Sequence, residues 1–316
     1  MATTEFEQGI REQISWGEET TYGTQVAPTE IVGKDVEIIP QFDQGWLEIM
    51  QAGDDKVTLH ELVQGPLSLP YQLRFKVVNW KFLKLLFSSV VNAGSGPYTH
   101  TYSQGSTLNS YTVQWGKRRG TDKAINLLGS VCKGGTIRWQ KATGGGSEGF
   151  IQVTLNMHAQ DYANGSITSL SPLSNSPFQY RHVTVTLNNS DVVEINNGEL
   201  NFDLGVNPDQ DSRYANATLD RKIGEPIITA ARYNGRVNVN VKNNTWEALW
   251  EAAAAVEDCE ITFVKSASDK AEFSFTNLYP TGPGYAETNI GGVNNVDAPF
   301  TIDEISAVVT DSAATH

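Results

Sequence analysis

Residues 79–91, NWKFLKLLFSSVV, place apolar side chains at helical spacing between runs that read as strands, and a second stretch does the same. Asn244–Val256, NTWEALWEAAAAV, repeats the first closely enough that Trp80, Leu83 and Val90 return as Trp246, Leu249 and Val256, each 166 positions later. The spacing predicts a helix over 79–91 capped by Asn79, and another over 244–256 capped by Thr245. In the second, Trp246, Leu249, Trp250, Ala253 and Val256 share one face, while Glu247 and Glu251 sit early, where the helix dipole favours them. The first is apolar over more of its circumference and must be covered on more than one side. Trp80 and Trp246 read as core anchors.

Other landmarks recur in the same order around these helices. Asp35-Val36-Glu37-Ile38 corresponds to Val192-Val193-Glu194-Ile195, and Gly65-Pro66-Leu67 to Gly224-Glu225-Pro226-Ile227. Asp122-Lys123-Ala124 corresponds to Asp269-Lys270-Ala271. Their shared order argues for one module written twice. A chain of 316 residues is long enough for two such modules. The organisation read from this is an N-terminal arm over 1–30, a first module over 31–160, a linker over 161–177 and a second module over 178–316. The rival reading is one large β-sandwich with two unrelated helices.

Strand patterns fill the modules. LSLPYQLRFKVV alternates through Leu69, Tyr71, Leu73, Phe75 and Val77. Further strands are read at 31–39, 111–115, 183–187, 192–195, 199–206, 236–241, 261–264, 271–275 and 301–309. INLLGSVCKGGTIRWQK and FIQVTLNMHA, separated by GGGSEG, form a hairpin. Residues 41–64 and 92–110 read as loops. The segment 1–30 lacks a dominant period and reads as an extended arm that needs a partner to lie against.

The net charge is −13, from 36 acidic and 23 basic residues. That balance opposes binding to nucleic acid or to an anionic membrane, both of which need basic patches. It is compatible with DNA sliding past without sticking. Two cysteines, Cys132 and Cys259, give neither a disulfide framework nor a metal-binding spacing. The start, MATTEFEQGIREQ, does not read as a signal peptide, and no apolar run is long enough to span a bilayer.

Tests for chemistry are negative in the sequence. His60, His100, His158, His182 and His316 are scattered, without the i, i+4 spacing of a helical zinc site. GGGSEG at 144–149 matches a dinucleotide fingerprint in form, but a strand follows it where a helix is required. Acidic pairs occur at Asp54–Asp55, Asp209/Asp211, Glu257–Asp258 and Asp303–Glu304, and each reads as solvated surface. Lys117-Arg118-Arg119 is the one basic run. No catalytic, cofactor-binding or metal-ligating residue is assigned, and the chain is not read as an enzyme.

The segment ISWGEETTYGT at 14–24 resembles the N-terminal G-x-E-x-T-x-x-G-T motif of tail tube proteins from long-tailed viruses of bacteria and archaea. Gly17, Glu18, Thr20, Thr21, Gly23 and Thr24 carry the likeness. The downstream order of strand, long loop, strand, helix and hairpin is also similar. The resemblance implies a mainly β fold: two tandem tail-tube-like β-sandwich modules, each with one flanking α-helix. It implies rings whose inner strands join into a β-barrel, stacked through the arm, a long loop and the C-terminal end. The implied partners are further copies of the chain, the tape-measure protein, the terminator and distal tail proteins, and viral DNA passing through the lumen without specific binding. No cofactor and no membrane are implied, and the expected location is the virion tail, assembled in the host cytoplasm. Usual members form six-fold rings from single modules. A duplicated chain would give a pseudo-six-fold ring from three copies, with six copies as the alternative.

Two other classes are carried forward. One is a carbohydrate-binding β-sandwich using exposed aromatics such as Trp115 and Trp139. The other is a glycosidase using a carboxylate pair, which needs two acids facing across a cleft.

Overall fold

The computed structural model describes residues 12–43, 45–49, 61–65, 67–119, 121–142, 149–187, 191–192, 195–208, 222, 224–226, 228–240, 245–282 and 295–316. The chain is antiparallel β throughout, with one α-helix among the described residues. In order come β1 (Glu12–Glu18), β2 (Glu30–Ile31), β3 (Lys34–Pro40), β4 (Trp46–Ile49), β5 (Glu61–Gln64) and β6 (Leu69–Lys76). A 3-10 turn (Lys81–Leu85) leads to β7 (Ser89–Ala93), β8 (Tyr98–Ser103), β9 (Tyr111–Arg119), β10 (Thr121–Gln140), β11 (Gln152–Ala159) and β12 (Asp161–Gly165). A second short 3-10 turn (Tyr180–His182) precedes β13 (Val183–Leu187), β14 (Asp191–Val192), β15 (Ile195–Asp203) and β16 (Arg232–Asn240). Helix α1 (Thr245–Ala252) is followed by β17 (Cys259–Ser266), β18 (Asp269–Pro280) and β19 (Asn295–Asp311).

Two long strands organise the sheets. The first half of β10 pairs with β9 and β12, and its second half pairs with β11 and β15. The change of partners falls at two irregularities, between Leu127 and Ser130 and between Cys132 and Gly134. Gly134 has φ +149°, and a Cβ there would strike the Phe202 carbonyl across the β10–β15 seam, so only glycine lets the two backbones approach. β19 behaves similarly: it pairs with β16 near its start, and further along with β18 and β8. β6 sits between β3 and β11, and β17 between β13 and β18. β1 joins β2 to β9. Among the described residues the pairings branch at β10 and β19 and never return on themselves, so the sheet is not closed into a barrel.

The alternation read from the sequence in β6 is what the core uses. Leu69, Tyr71, Leu73 and Phe75 are all buried, while Gln72 and Arg74 point away from them. The strand expectations over 31–39, 111–115, 183–187, 236–241, 261–264, 271–275 and 301–309 fall on β3, β9, β13, β16, β17, β18 and β19. Those over 192–195 and 199–206 fall largely on β14 and β15. The hairpin across GGGSEG is β10–β11, with Arg138 opposite Gln152; residues 143–148 of its turn lie outside the described residues.

Several expectations need correction. The stretch 79–91 is not an α-helix but a five-residue 3-10 turn, after which Val90 and Val91 enter β7 opposite Tyr102 and Thr101. Phe82, Leu83, Leu85, Leu86 and Phe87 are buried, which leaves no solvent face for a longer amphipathic helix, and the β-branched pair favours the strand. Asn79 does contribute, accepting the Lys81 N–H at 3.3 Å. Thr245, expected as the cap of the second helix, lies within α1. Residues 12–18 of the expected arm form β1, with Ile14 and Trp16 buried against the chain's own sheet. The supposed loop over 92–110 carries β8, and the supposed linker opens with β12, paired to β10 from Ala124 to Leu128. Of the long loop 41–64, the described parts include the β4–β5 hairpin.

Neither cysteine is in a disulfide and both are buried, and burial pushes the Cys132 thiol up to about 12. A thiolate is the reactive form, so the folded protein is expected to react negligibly with a thiol reagent at pH 8. Both thiols then react fully in denaturant. Fast stoichiometric labelling of the native protein would contradict this burial.

Candidate assembly surfaces

The turn after β1 is built on one buried carboxylate. Glu19 Oε1 accepts the Thr112 hydroxyl at 2.8 Å and the Gly129 N–H at 2.9 Å. Its Oε2 accepts the Gly23 N–H and the Ser110 hydroxyl, each at 2.9 Å. Four donors, from β9 and the residue before it, from β10 and from the turn, thus converge on a side chain with residue exposure of 8%. Such a carboxylate is stable without a cation because every lone-pair direction is met by an N–H or O–H. Gly23 adopts φ +72°, and any side chain there would run into Gln160. Gly17 lies against the Ala27 carbonyl, 2.8 Å from where a Cβ would be. The chain then doubles back, with Thr29 N–H bonding Trp16 O at 3.0 Å and Val26 N–H bonding the Thr112 hydroxyl at 3.1 Å.

This geometry explains the two glycines and the buried acid of the 14–24 motif. The glycines allow the close backbone approaches, Glu19 ties the turn to the sheet, and Thr24 N–H bonds Thr21 O within it. Glu18 faces outward and meets Lys84 at 2.6 Å. The sequence reading names Glu18, whereas the buried hub is its neighbour Glu19. Alternation along β1, with Ile14 and Trp16 inward, points to position 18 for the next inward side chain, and the turn reverses that parity at 19.

The second surface is a sheet edge. Among the described residues β3 pairs with β6 alone. Beside it runs an open groove of about 970 Å3, bounded by β1, β3 and the 169–173 segment. Ile14, Ile31, Val36, Ile38, Leu170 and Leu173 supply its apolar lining, with Lys34 and Glu37 also on it. Lys34 Nζ donates to Asn175 O at 2.7 Å, fixing the segment after β12 beside the edge. Asp35, bonded to Lys76 at 2.5 Å, and Glu37 place charge on β3, a common guard on a sheet edge that is left unpaired.

The remaining candidates do not converge on a catalytic arrangement. His60, Asp54–Asp55 and Asp209/Asp211 lie outside the described residues. Glu257 and Asp258 are exposed, and Asp303 accepts Asn277 Nδ2 and the Tyr279 hydroxyl, each at 3.1 Å, on the surface of β19. His158 Nε2 accepts the Leu69 N–H at 3.2 Å in the core, and His182 Nδ1 accepts the Gln179 N–H at 3.0 Å in the second 3-10 turn. His100 and His316 come together in space. Lys117 of the basic run lies 3.6 Å above the Trp115 ring, and Trp115 Nε1 donates to Glu12 at 2.9 Å. Trp139 is completely buried and offers no surface for a sugar. No helix among the described residues is long and apolar enough to cross a membrane.

A search of curated proteins gives no match to the chain. The family model described as phage tail tube protein matches residues 9–303, a span from before β1 to within β19 that takes in the Glu19 turn and the β3 edge. The mainly antiparallel architecture and the match over nearly the whole length agree, and the chain belongs to the phage tail tube protein family, a structural component of the virion tail.

Proposed function

We propose that this chain is a tail tube subunit that joins further copies head to tail into rings, which stack around a lumen that passes viral DNA. The observation that carries the reading is the difference between two sheet edges. The order β1, β2, β3, β6, β9, β10 and β11–β12 has a counterpart in β13, β14, β15, β16, β17, β18 and β19. Every pairing of the first set has its partner in the second: β1–β2 with β13–β14, β1–β9 with β13–β17, and β3–β6 with β15–β16. The series continues with β6–β11 and β16–β19, then β9–β10 and β17–β18. It closes with β10 on β11–β12 and β18 on β19. The Asp-Lys-Ala landmarks open the equivalent strands β10 and β18. On this reading β1 and β12 belong to the first module, the β7–β8 hairpin is an insertion in it, and residues 178–316 form the second.

The far half of β10 then seats on the outer side of β15. β3 holds the position of β15 in the first module, and its corresponding side is the open groove. A second copy offering its β18 side to β3 repeats inside the assembly the contact already made within the chain. Such contacts are heterologous and close into a ring when the rotation permits. Three chains would supply six modules, with six chains as the alternative. A net charge of −13 suits a wall along which DNA slides without specific binding. The tape-measure, terminator and distal tail proteins complete the proposed partners, in a virion tail assembled in the host cytoplasm.

Native mass spectrometry with negative-stain microscopy across a concentration series tests this. Rings or tubes containing three chains per ring are expected. Rings of six chains would overturn the three-copy stoichiometry, and a monomer at every concentration would overturn assembly itself.

A further inference from the structure

Where the chain folds back after β19, two imidazoles and one carboxylate from distant parts of the sequence meet. His316 Nε2 lies 2.6 Å from Asp311 Oδ2, and His100 Nε2 lies 3.3 Å from Asp311 Oδ1. Both histidine side chains are completely enclosed. Their rings stack with centroids 3.6 Å apart. The other nitrogens are engaged from outside the cluster: His100 Nδ1 with Asn92 Oδ1 at 2.6 Å, and His316 Nδ1 with the Tyr102 hydroxyl at 2.5 Å. Ala313 N–H holds Asp311 Oδ1 at 2.7 Å.

We propose that His100, Asp311 and His316 form a binding site for a zinc-like divalent cation. An amide oxygen only accepts, so the Asn92 contact puts the proton of neutral His100 on Nδ1. Its Nε2 lone pair then faces a carboxylate oxygen, and this contact between two acceptors is met either by a second proton on the ring or by a cation between them. An outer oxygen on the far nitrogen of each imidazole is the arrangement that fixes metal-binding histidines. Two imidazoles and a carboxylate select zinc and its transition-metal neighbours over calcium or magnesium, which favour all-oxygen sites. The three ligand groups lie within 4.8 Å of one another, close enough to gather on one ion. Each imidazole takes a metal along its in-plane lone pair, so loading splays the stacked rings. His316, on the 312–316 segment outside any strand, is the ring that turns. Its proton moves from Nε2 to Nδ1, where the Tyr102 oxygen accepts it. The site escaped sequence spacing because Asp311 lies 211 positions from His100.

The test is zinc titration of the EDTA-treated full-length protein by calorimetry, with cobalt absorption as a second readout. One zinc per chain is expected. Asp311→Asn and His316→Gln should each weaken binding about 100-fold or more, and Asn92→Ala about 10-fold to 100-fold, the usual range for an outer partner. Circular dichroism checks that each variant remains folded. His316→Gln removes a ligand from outside the strands, so it keeps the test decisive if Asp311→Asn unfolds. Failure of the folded wild-type protein to take up zinc, or equal uptake by the His316→Gln variant, would overturn the site and leave a hydrogen-bonded clasp.

Discussion

Replacing Trp80 with alanine is expected to destabilise the protein by about 3–5 kcal/mol, the range for removing a buried Trp or Phe from a core. The indole is 1% exposed and lies at the centre of an aromatic cluster. Its ring centroid is 5.7 Å from Phe82, 5.3 Å from Phe178, 4.9 Å from Phe263 and 5.7 Å from Phe273. Phe263 and Phe273 belong to β17 and β18, so the residue after β6 is a shared core element for distant parts of the chain. The loss is a large share of the 5–15 kcal/mol that typically stabilises a domain. Trp80→Phe should cost much less, because it keeps most of the packing and sacrifices no hydrogen bond: Trp80 Nε1 has no partner among the described residues. Denaturant unfolding, followed by circular dichroism and by cysteine exposure, reads both variants. The β17–β18 region should unfold together with β6 in a single transition. A Trp80→Ala loss below about 1 kcal/mol would mean that the cluster closes over the gap, contrary to the cavity cost expected in a close-packed core.

How much of the fold is legible in the sequence depends on what each stretch leaves to solvent. In β6, polar and apolar residues alternate cleanly, so the period of two stands out in the sequence itself. Around 79–91 both faces are buried, and apolar spacing ceases to distinguish a helix from a short 3-10 turn followed by a strand. β8 and β12 give no apolar alternation, because YTHTYS and DYANG are polar. β8 buries only His100 and Tyr102, while β12 lies along β10 with no buried side chain of its own. Strand pairing, a long-range property, decides both. The N-terminal motif is legible as a pattern, but its buried acid is not: the choice between Glu18 and Glu19 is made by a turn whose partners, Thr112 and Gly129, lie about a hundred residues away in the chain. The β3 edge is invisible for the same reason, since an edge exists only once the neighbours of every strand are known.

Glu19→Ala is expected to cost about 3 kcal/mol, because it leaves buried donors that each carry a penalty of roughly 1–3 kcal/mol when unmet. Gly129 N–H and the Thr112 hydroxyl lose one oxygen, and Gly23 N–H and the Ser110 hydroxyl lose the other. Water entering the vacated space recovers part of the sum, which is why the total stays well below four full penalties. Glu19→Gln separates charge from shape. Its amide oxygen can serve one pair of donors, but its NH2 then faces the other pair, donor against donor, so a substantial fraction of the loss should remain. Residues 20–29 contain no strand or helix and are held to the sheet by this carboxylate, the Thr112 hydroxyl, the Thr29 N–H bond to Trp16 O and the packing of Tyr22. Limited proteolysis should therefore cut the Glu19→Ala variant within 20–29 under conditions that leave the parent protein intact there, with Trp80 and the distant core still protected. The same segment crosses β1 at Gly17, so its release frees the backbone beside Trp16 before the rest of the sheet opens. If Glu19→Gln matched the parent in both stability and protease resistance, the four donors would not need an anionic acceptor, and the turn would be held by backbone geometry alone.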